Sequence, residues 1–558
     1  MSETVKIICE NTGKSLYVEM GTSLVDVLNM LTLKNEHPFL AAYVNNVIRE
    51  LGYRVFAPLS VRFIDVTHFE GMRVYQRTLF FILHKAVIDT FPDKHLKIKH
   101  SVAKGFYCEL DDKNIGVSED QVLAIKKRME ELISQNIPIV GETVIYTEAE
   151  EICRQYGFYD KIQLMETRPH LYVTLHRLAD LPGYFYGTLA PSTGYITLFD
   201  LKKYFKGMYL GIPCRTNPSR LEKMIPQNKM FDIFSEYKNW VNILGVANIG
   251  SLNSMILEGK TSELIKVAES FHEKKLGHIA DIISERNKKD DTKIILISGP
   301  SSSGKTTFAK RLGIQLRILG LQPVMISLDN YFVDRDKTPI DENGEHDFEA
   351  LEAVNVPLFN EHLVQLLDGE EVSVPKYDFY TGSSVADSFK LKLEENSVII
   401  IEGIHALNPK LTPDIEANKK FDVYVSALTS TSMDDLTRIS TTDNRLLRRI
   451  VRDHQFRNND AKSTIKRWQS VRRGEESHIF PYQEQADIMF NSSLFFELSI
   501  LKNYAEPLLH EVPNTVQEYA EAQRLLNFLD LFVPISDKEV PSTSILKEFI
   551  GHSSFNYD

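Results

Sequence analysis

An apolar run, Ile294-Ile-Leu-Ile-Ser, leads straight into Gly299-Pro-Ser-Ser-Ser-Gly304-Lys305-Thr306-Thr307 and then into Phe308-Ala-Lys-Arg-Leu-Gly-Ile-Gln-Leu. A strand, a Gly-x4-Gly-Lys-Thr loop and a helix in that order predict a phosphate-binding loop in an α/β sheet. Gly299 and Gly304 let the backbone curl so that the N–H groups around Ser301, Ser302 and Ser303 face a polyphosphate. The helix N-terminus adds partial positive charge. Lys305 is expected to reach the β- and γ-phosphates and Thr306 to ligate Mg²⁺, with Thr307 completing the cradle. These residues point to a nucleoside triphosphate. An accidental Gly/Ser turn would not bring strand, loop and helix together.

At 558 residues the chain exceeds a single core and predicts several domains. A net charge of −12 argues against a broad nucleic-acid-coating surface, though not against a local basic site. Cys9, Cys108, Cys153 and Cys214 are scattered without a Cys-x-x-Cys pair, which suits free thiols in a reducing cytoplasm. The sequence carries no apolar run of about 18 residues and no signal-type apolar segment after Met1. A cytoplasmic protein without membrane contact is expected, with oligomerisation open.

Residues 4–66 alternate short β-type runs (Val5–Cys9, Ser15–Val18, Val61–Ile64) around one helical stretch, Leu24–Leu31. The Gly21-Thr-Ser-Leu-Val-Asp-Val-Leu segment followed by Ala41-Ala-Tyr-Val-Asn-Asn resembles the TGS domain, a small β-grasp unit. From 67 to about 210, a helix over Arg73–Ile88, Lys104-Gly-Phe-Tyr-Cys-Glu-Leu, a helix over Glu119–Gln135 and Gly183-Tyr-Phe-Tyr-Gly-Thr-Leu-Ala-Pro-Ser-Thr-Gly-Tyr-Ile resemble, in order, the editing domain of threonyl-tRNA synthetases. That domain binds metal through two histidines on a helix plus a Cys and a further His. Here the corresponding positions are Arg77, Phe81, Phe185 and Leu189. Phe and Leu cannot ligate a metal. The resemblance therefore implies a retained α+β fold without the editing chemistry, with RNA or tRNA contact as the partner it suggests. His68, His84, Cys108 and His170 are the nearby alternative ligands.

Beyond the phosphate loop, Pro323-Val-Met-Ile-Ser-Leu-Asp329 places a carboxylate at a strand tip, where ligands sit in open α/β sheets. Such a group could take the proton of an attacking hydroxyl. Alone, an Asp there is more often a cap or turn residue. The sequence from the phosphate loop through Asp329-Asn-Tyr-Phe, Asp347-Phe-Glu-Ala-Leu, Pro375-Lys-Tyr-Asp-Phe-Tyr, Ile400-Ile-Glu-Gly-Ile-His, Arg448-Arg-Ile-Val-Arg-Asp and Pro481-Tyr-Gln-Glu-Gln-Ala-Asp-Ile resembles the uridine kinase and phosphoribulokinase family over about 290–500. The resemblance implies Asp329 as general base, Asp347 on a sugar hydroxyl, Tyr377 lining the nucleoside pocket and Glu402 helping Thr306 hold Mg²⁺. It further implies Arg449 on substrate and Arg452 and Arg457 as a lid over the ATP phosphates. Arg448, Arg449 and Arg452 are within helical reach and are expected to project from one side. Against this, Arg445–Arg457 could be a solvated basic face. Two departures touch the acceptor. Tyr380-Thr-Gly-Ser-Ser stands where uridine kinases carry a His-Ser-Arg-type run, and Arg457-Asn-Asn459 stands for Arg-Gly-Arg.

The expected architecture is multidomain α/β and α+β. It has a TGS-like β-grasp domain (1–66), an editing-like domain without metal ligands (67–220), a helical connector (221–288), a P-loop domain with a parallel sheet and flanking helices (289–510), and a helical tail (511–558). The charged run Arg286–Lys293 is expected to be an exposed hinge. The expected activity is ATP- and Mg²⁺-dependent phosphorylation of a nucleoside, uridine or cytidine, to the 5′-monophosphate. Phosphorylation of a sugar or sugar phosphate, and an RNA-linked regulatory ATPase, are the alternatives.

Overall fold

Ile294–Ser298 is buried at every residue and forms the middle of a five-stranded sheet. Across the sheet the order is Gln322–Ser327, Ser397–Glu402, Ile294–Ser298, Lys420–Ser426 and Ile488–Asn491, all parallel. Central strands covered on both faces read as continuous apolar runs, as Ser397-Val-Ile-Ile-Ile-Glu402 does. The period of two divides their side chains. Ile295, Ile297 and Ile400 pack with Phe308 and Leu312 of the helix Lys305–Ile318, whereas Ile294, Leu296, Ile399 and Ile401 meet Phe359, Leu363 and Leu366 of the helix Val356–Leu367. The computed structural model describes residues 3–557 apart from 111–115, 169, 342–343, 345 and 379–380.

The N-terminal segment pairs Thr4–Cys9 antiparallel with Lys14–Glu19 and parallel with Leu59–Ile64, which pairs in turn with Ala41–Val44. Its helix Leu24–Leu31 is capped by Ser23, whose hydroxyl accepts the Asp26 N–H at 3.2 Å. The apolar helix Phe69–Thr90 then shares a core with Glu119–Ser134 and the antiparallel sheet formed by Asp200–Tyr204, Gly207–Gly211, Gly105–Leu110 and Leu96–Val102.

Where a hinge was expected at Arg286–Lys293, the helix Thr261–Asp290 runs on for 30 residues and stops only at Asp291, in the left-handed region. The charged residues are its solvated last turns. Leu276, Ile279, Ala280 and Ile283 lie under the parallel sheet, and Arg311 of the helix Lys305–Ile318 pairs with Glu269 and Glu273 at 3.3 and 2.8 Å. The second half of the helix Thr261–Asp290 thus contributes to the core of the sheet.

The two halves are joined by buried charge. Lys161 Nζ meets Asp434 Oδ2 at 2.6 Å with both side chains at most 1% exposed. Arg73 reaches Glu521 at 2.8 Å and Asp443 at 3.7 Å, and Arg524 holds the same two carboxylates from their own half. Among the described residues no helix is long and apolar enough to cross a membrane.

Candidate active site

The loop between Ser298 and Lys305 needs its glycines. A Cβ on Gly299 would overlap the Val425 carbonyl oxygen, and Gly304 caps the following helix at φ +86°. Ser302 is also left-handed, at φ +57°. Among the described residues the hydroxyls of Ser302 and Ser303 are buried without a hydrogen-bond partner, and the Lys305 ammonium meets the Pro300 carbonyl at 3.2 Å. Burial lowers the Lys305 pKa, opposed by Glu402, Asp329, Glu548 and Glu349. Idle buried donors around a desolvated ammonium suit a bound polyphosphate.

Glu402 ends its strand beside this loop. Its Oε1 accepts from Thr306 Oγ1 at 3.3 Å and from Ser327 Oγ at 3.0 Å. Burial, and next the charge of Asp329, push its pKa up to about 7. Asp329 lies in the short turn Leu328–Tyr331 at the adjacent strand tip, half-buried. Two carboxylates and a hydroxyl beside a phosphate cradle suit Mg²⁺, which takes one or two carboxylates and completes its shell with phosphate oxygens and water.

On the acceptor side, one Asp347 oxygen accepts the Glu349 N–H at 3.0 Å and so closes its own turn. Glu349 lies deeper. Gly474 leaves room for it, since a Cβ there would overlap the Glu349 side chain. Its Oε2 is buried and, among the described residues, has no hydrogen-bond partner. Burial raises its pKa to about 7, with the charges of Arg449 and Lys305 opposing the rise. This carboxylate was missed in the sequence, where it stands two residues after Asp347 with no local mark. Tyr377 is buried, its ring 5.5 Å from that of Phe332. Phe379 and Tyr380 lie outside the described residues.

The helix Thr441–Arg457 brings the arginines together on one internal carboxylate. Asp453 pairs with Arg449 at 3.2 Å, Arg452 at 2.8 Å and Arg457 at 3.9 Å. Arg449 also donates to Ser301 Oγ at 2.8 Å. The charge of Arg452, then burial, pulls the Arg457 pKa down to about 10. Three cations on one anion leave positive charge available above the loop. Arg448 departs from the expected common face. It is fully buried, bound to Glu497 and donating to the carbonyl oxygens of Ser302 and Ser492. Arg445 likewise turns inward, onto Glu475.

Residues 294–495 match the family described as Phosphoribulokinase / Uridine kinase family. A uridine kinase from Staphylococcus aureus (strain JH9) is 33% identical over 201 residues, covering 36% of this chain and 86% of the relative. The uridine kinase of strain Newman gives the same figures. Among solved structures, D-glycerate 3-kinase from Cryptococcus neoformans var. grubii aligns over 48% of this chain and 89% of its own at 14% identity, with a TM-score of 0.23.

Proposed function

Through residues 294–495 this chain belongs to the phosphoribulokinase/uridine kinase family, and from that kinase membership we propose that it transfers the γ-phosphoryl group of ATP to the 5′-hydroxyl of a nucleoside, uridine or cytidine. The observation that carries the reading is the grouping of Lys305, Thr306, Asp329 and Glu402 at the ends of neighbouring parallel strands and one helix.

In this reading Asp329 accepts the proton of the attacking hydroxyl. Lys305 neutralises charge on the β- and γ-phosphates, and the Ser301–Thr307 backbone cradles them. Thr306 and Glu402 would hold Mg²⁺, which would supply Lewis-acid neutralisation of phosphate charge. Arg449, Arg452 and Arg457 close over the transferring group, while Asp347, Glu349 and Tyr377 orient the acceptor. Asp329 favours a transferase over a purely regulatory ATPase, because a switch has no need of a hydroxyl-activating base.

We also propose that residues 1–220 keep the TGS-like and editing-like folds as a module that contacts RNA or another macromolecule without editing. Arg77 is held by Glu70 and Thr188, and the Phe81 and Phe185 rings pack 5.0 Å apart, so the positions that would carry metal are filled by packing. The free cysteines suit a cytoplasmic setting.

The test is to incubate the protein with ATP and Mg²⁺ against a panel of nucleosides, sugars and sugar phosphates and to identify the products. Formation of UMP or CMP supports the reading. Turnover with a sugar phosphate alone, or ATP hydrolysis that needs no acceptor, would refute it.

A further inference from the structure

The C-terminal segment lies on the nucleotide loop. In the helix Lys305–Ile318, the Thr307 N–H is among the first-turn amides that have no partner within the helix. It donates to Glu548 Oε2 at 3.1 Å, and the Thr307 hydroxyl donates to the same oxygen at 2.6 Å. The Tyr557 hydroxyl is 2.9 Å from Thr307 Oγ1 and 3.0 Å from Ser553 Oγ. Ile545, from the same segment, presses on the loop so closely that a Cβ on Gly304 would meet its methyl group.

The segment is anchored. Ile545, Leu546, Phe549 and Ile550 are fully buried, and the Phe549 ring lies 4.9 Å beneath the Arg448 guanidinium. Glu548 itself is only partly covered and Tyr557 is exposed. The backbone of 545–550 is therefore anchored, while the Glu548 carboxylate and the Tyr557 ring stay open to solvent on one side.

In a phosphate loop the amides cradle the α- and β-phosphates, and the lysine reaches the β- and γ-phosphates. Thr307, two residues past Lys305 along the helix, faces the phosphate nearest the nucleoside. A carboxylate accepting both donors of Thr307 holds a place that an anionic phosphate needs, and like charge forbids sharing it.

We propose that Glu548, backed by Tyr557, is a built-in competitor for the α-phosphate, so that nucleotide binds only as this C-terminal strap swings off Thr307. The proposal rests on the reading of 299–307 as the nucleotide site. It makes the apparent nucleotide affinity the product of the intrinsic affinity and the population of the open strap.

The test is calorimetric titration of the full-length protein with ADP and with adenosine, both with Mg²⁺. Wild type is compared with Glu548→Ala, Glu548→Gln, Tyr557→Phe and Lys305→Ala. Releasing one charge-assisted contact should tighten ADP by about tenfold in Glu548→Ala. Smaller gains are expected for Glu548→Gln and Tyr557→Phe. Adenosine, which has no phosphate to place on Thr307, should bind all three as it binds wild type. Unchanged or weaker ADP binding in both Glu548 variants overturns the proposal, as does an equal gain for adenosine. Lys305→Ala separates the two readings. If it leaves ADP affinity intact, the nucleotide-loop assignment fails. If it abolishes binding while the Glu548 variants gain nothing, the strap alone fails. In the wild-type protein, amide exchange across 551–557 should rise on adding ADP, and unchanged exchange there would also count against the strap.

Discussion

Arg448 joins Glu497 at 2.5 Å and at the same time donates to the Ser302 carbonyl, so the helix Thr441–Arg457 braces the loop 299–304 from inside the protein. Breaking a buried pair by removing one partner leaves the other charge unpaired, at a cost of about 3–5 kcal/mol. Arg448→Ala should therefore lower the melting temperature sharply. Arg449→Ala, on the loop side of the same helix, should leave melting nearly unchanged and reduce kcat. Equal effects of the two substitutions on melting would contradict the division into buried strut and loop-facing arginine.

Lys305→Ala and Asp329→Asn should separate charge stabilisation from proton transfer. The first should cost on the order of 10²–10³ in kcat and weaken nucleotide binding. The second keeps the shape and should keep ATP affinity while kcat falls by about 10²-fold or more. Both should melt like wild type. If ATP affinity collapses in Asp329→Asn, that carboxylate belongs with the cation and not with the acceptor hydroxyl.

Glu402 should give the protein a pH signature in the absence of Mg²⁺. Burial raises its pKa to about 7, whereas an unfolded glutamate titrates near ~4.3. Between those values the folded protein holds a proton that the unfolded chain has released, so stability falls as pH rises through the window. Glu402→Gln stays neutral and should lose this slope. Relative to that variant, wild type should be less stable at pH 8 than at pH 5. Adding Mg²⁺ should narrow the gap. Activity runs the other way, because only the ionised carboxylate holds a cation, and kcat/KM should rise with pH towards about 7. A wild-type slope matching Glu402→Gln would refute the assignment.

A fragment beginning at Arg286 should not fold. It lacks Leu276, Ile279, Ala280 and Ile283, which cover one face of the parallel sheet, and it strands Arg311 without Glu269 and Glu273. Losing several buried aliphatic side chains at about 2–5 kcal/mol each exceeds the stability of most domains. A cooperative melt from this fragment would show that the helix Thr261–Asp290 is dispensable after all.

Local sequence was enough for the parts of the site that lie within one strand, one turn or one helix start. Gly299 to Thr307 is legible because a tight loop between a buried strand and a helix admits few residue types. Asp329 and Glu402 are legible because each follows an apolar run that has to end at the sheet's carboxyl edge. The small N-terminal sheet and the helices Phe69–Thr90 and Glu119–Ser134 are legible for a similar reason: periodicity and caps are local.

Tertiary structure decided which of several equivalent side chains face the site. The sequence spaces Arg445, Arg448, Arg449 and Arg452 on one helix, and only the partners Glu475, Glu497 and Asp453 sort them into buried struts and loop-facing arginines. It marks neither Glu349 over Asp347 nor the extension of the helix Thr261–Asp290 into the core. The bond from Thr307 to Glu548 spans 241 residues. Pairings at that separation follow from how the helices and the tail pack against the sheet, and no local period or composition records them. The sequence by itself determined that this chain turns through a glycine loop between a buried strand and a helix. Packing decided what covers that loop, because burial and long-range charge pairing are properties of the assembled core.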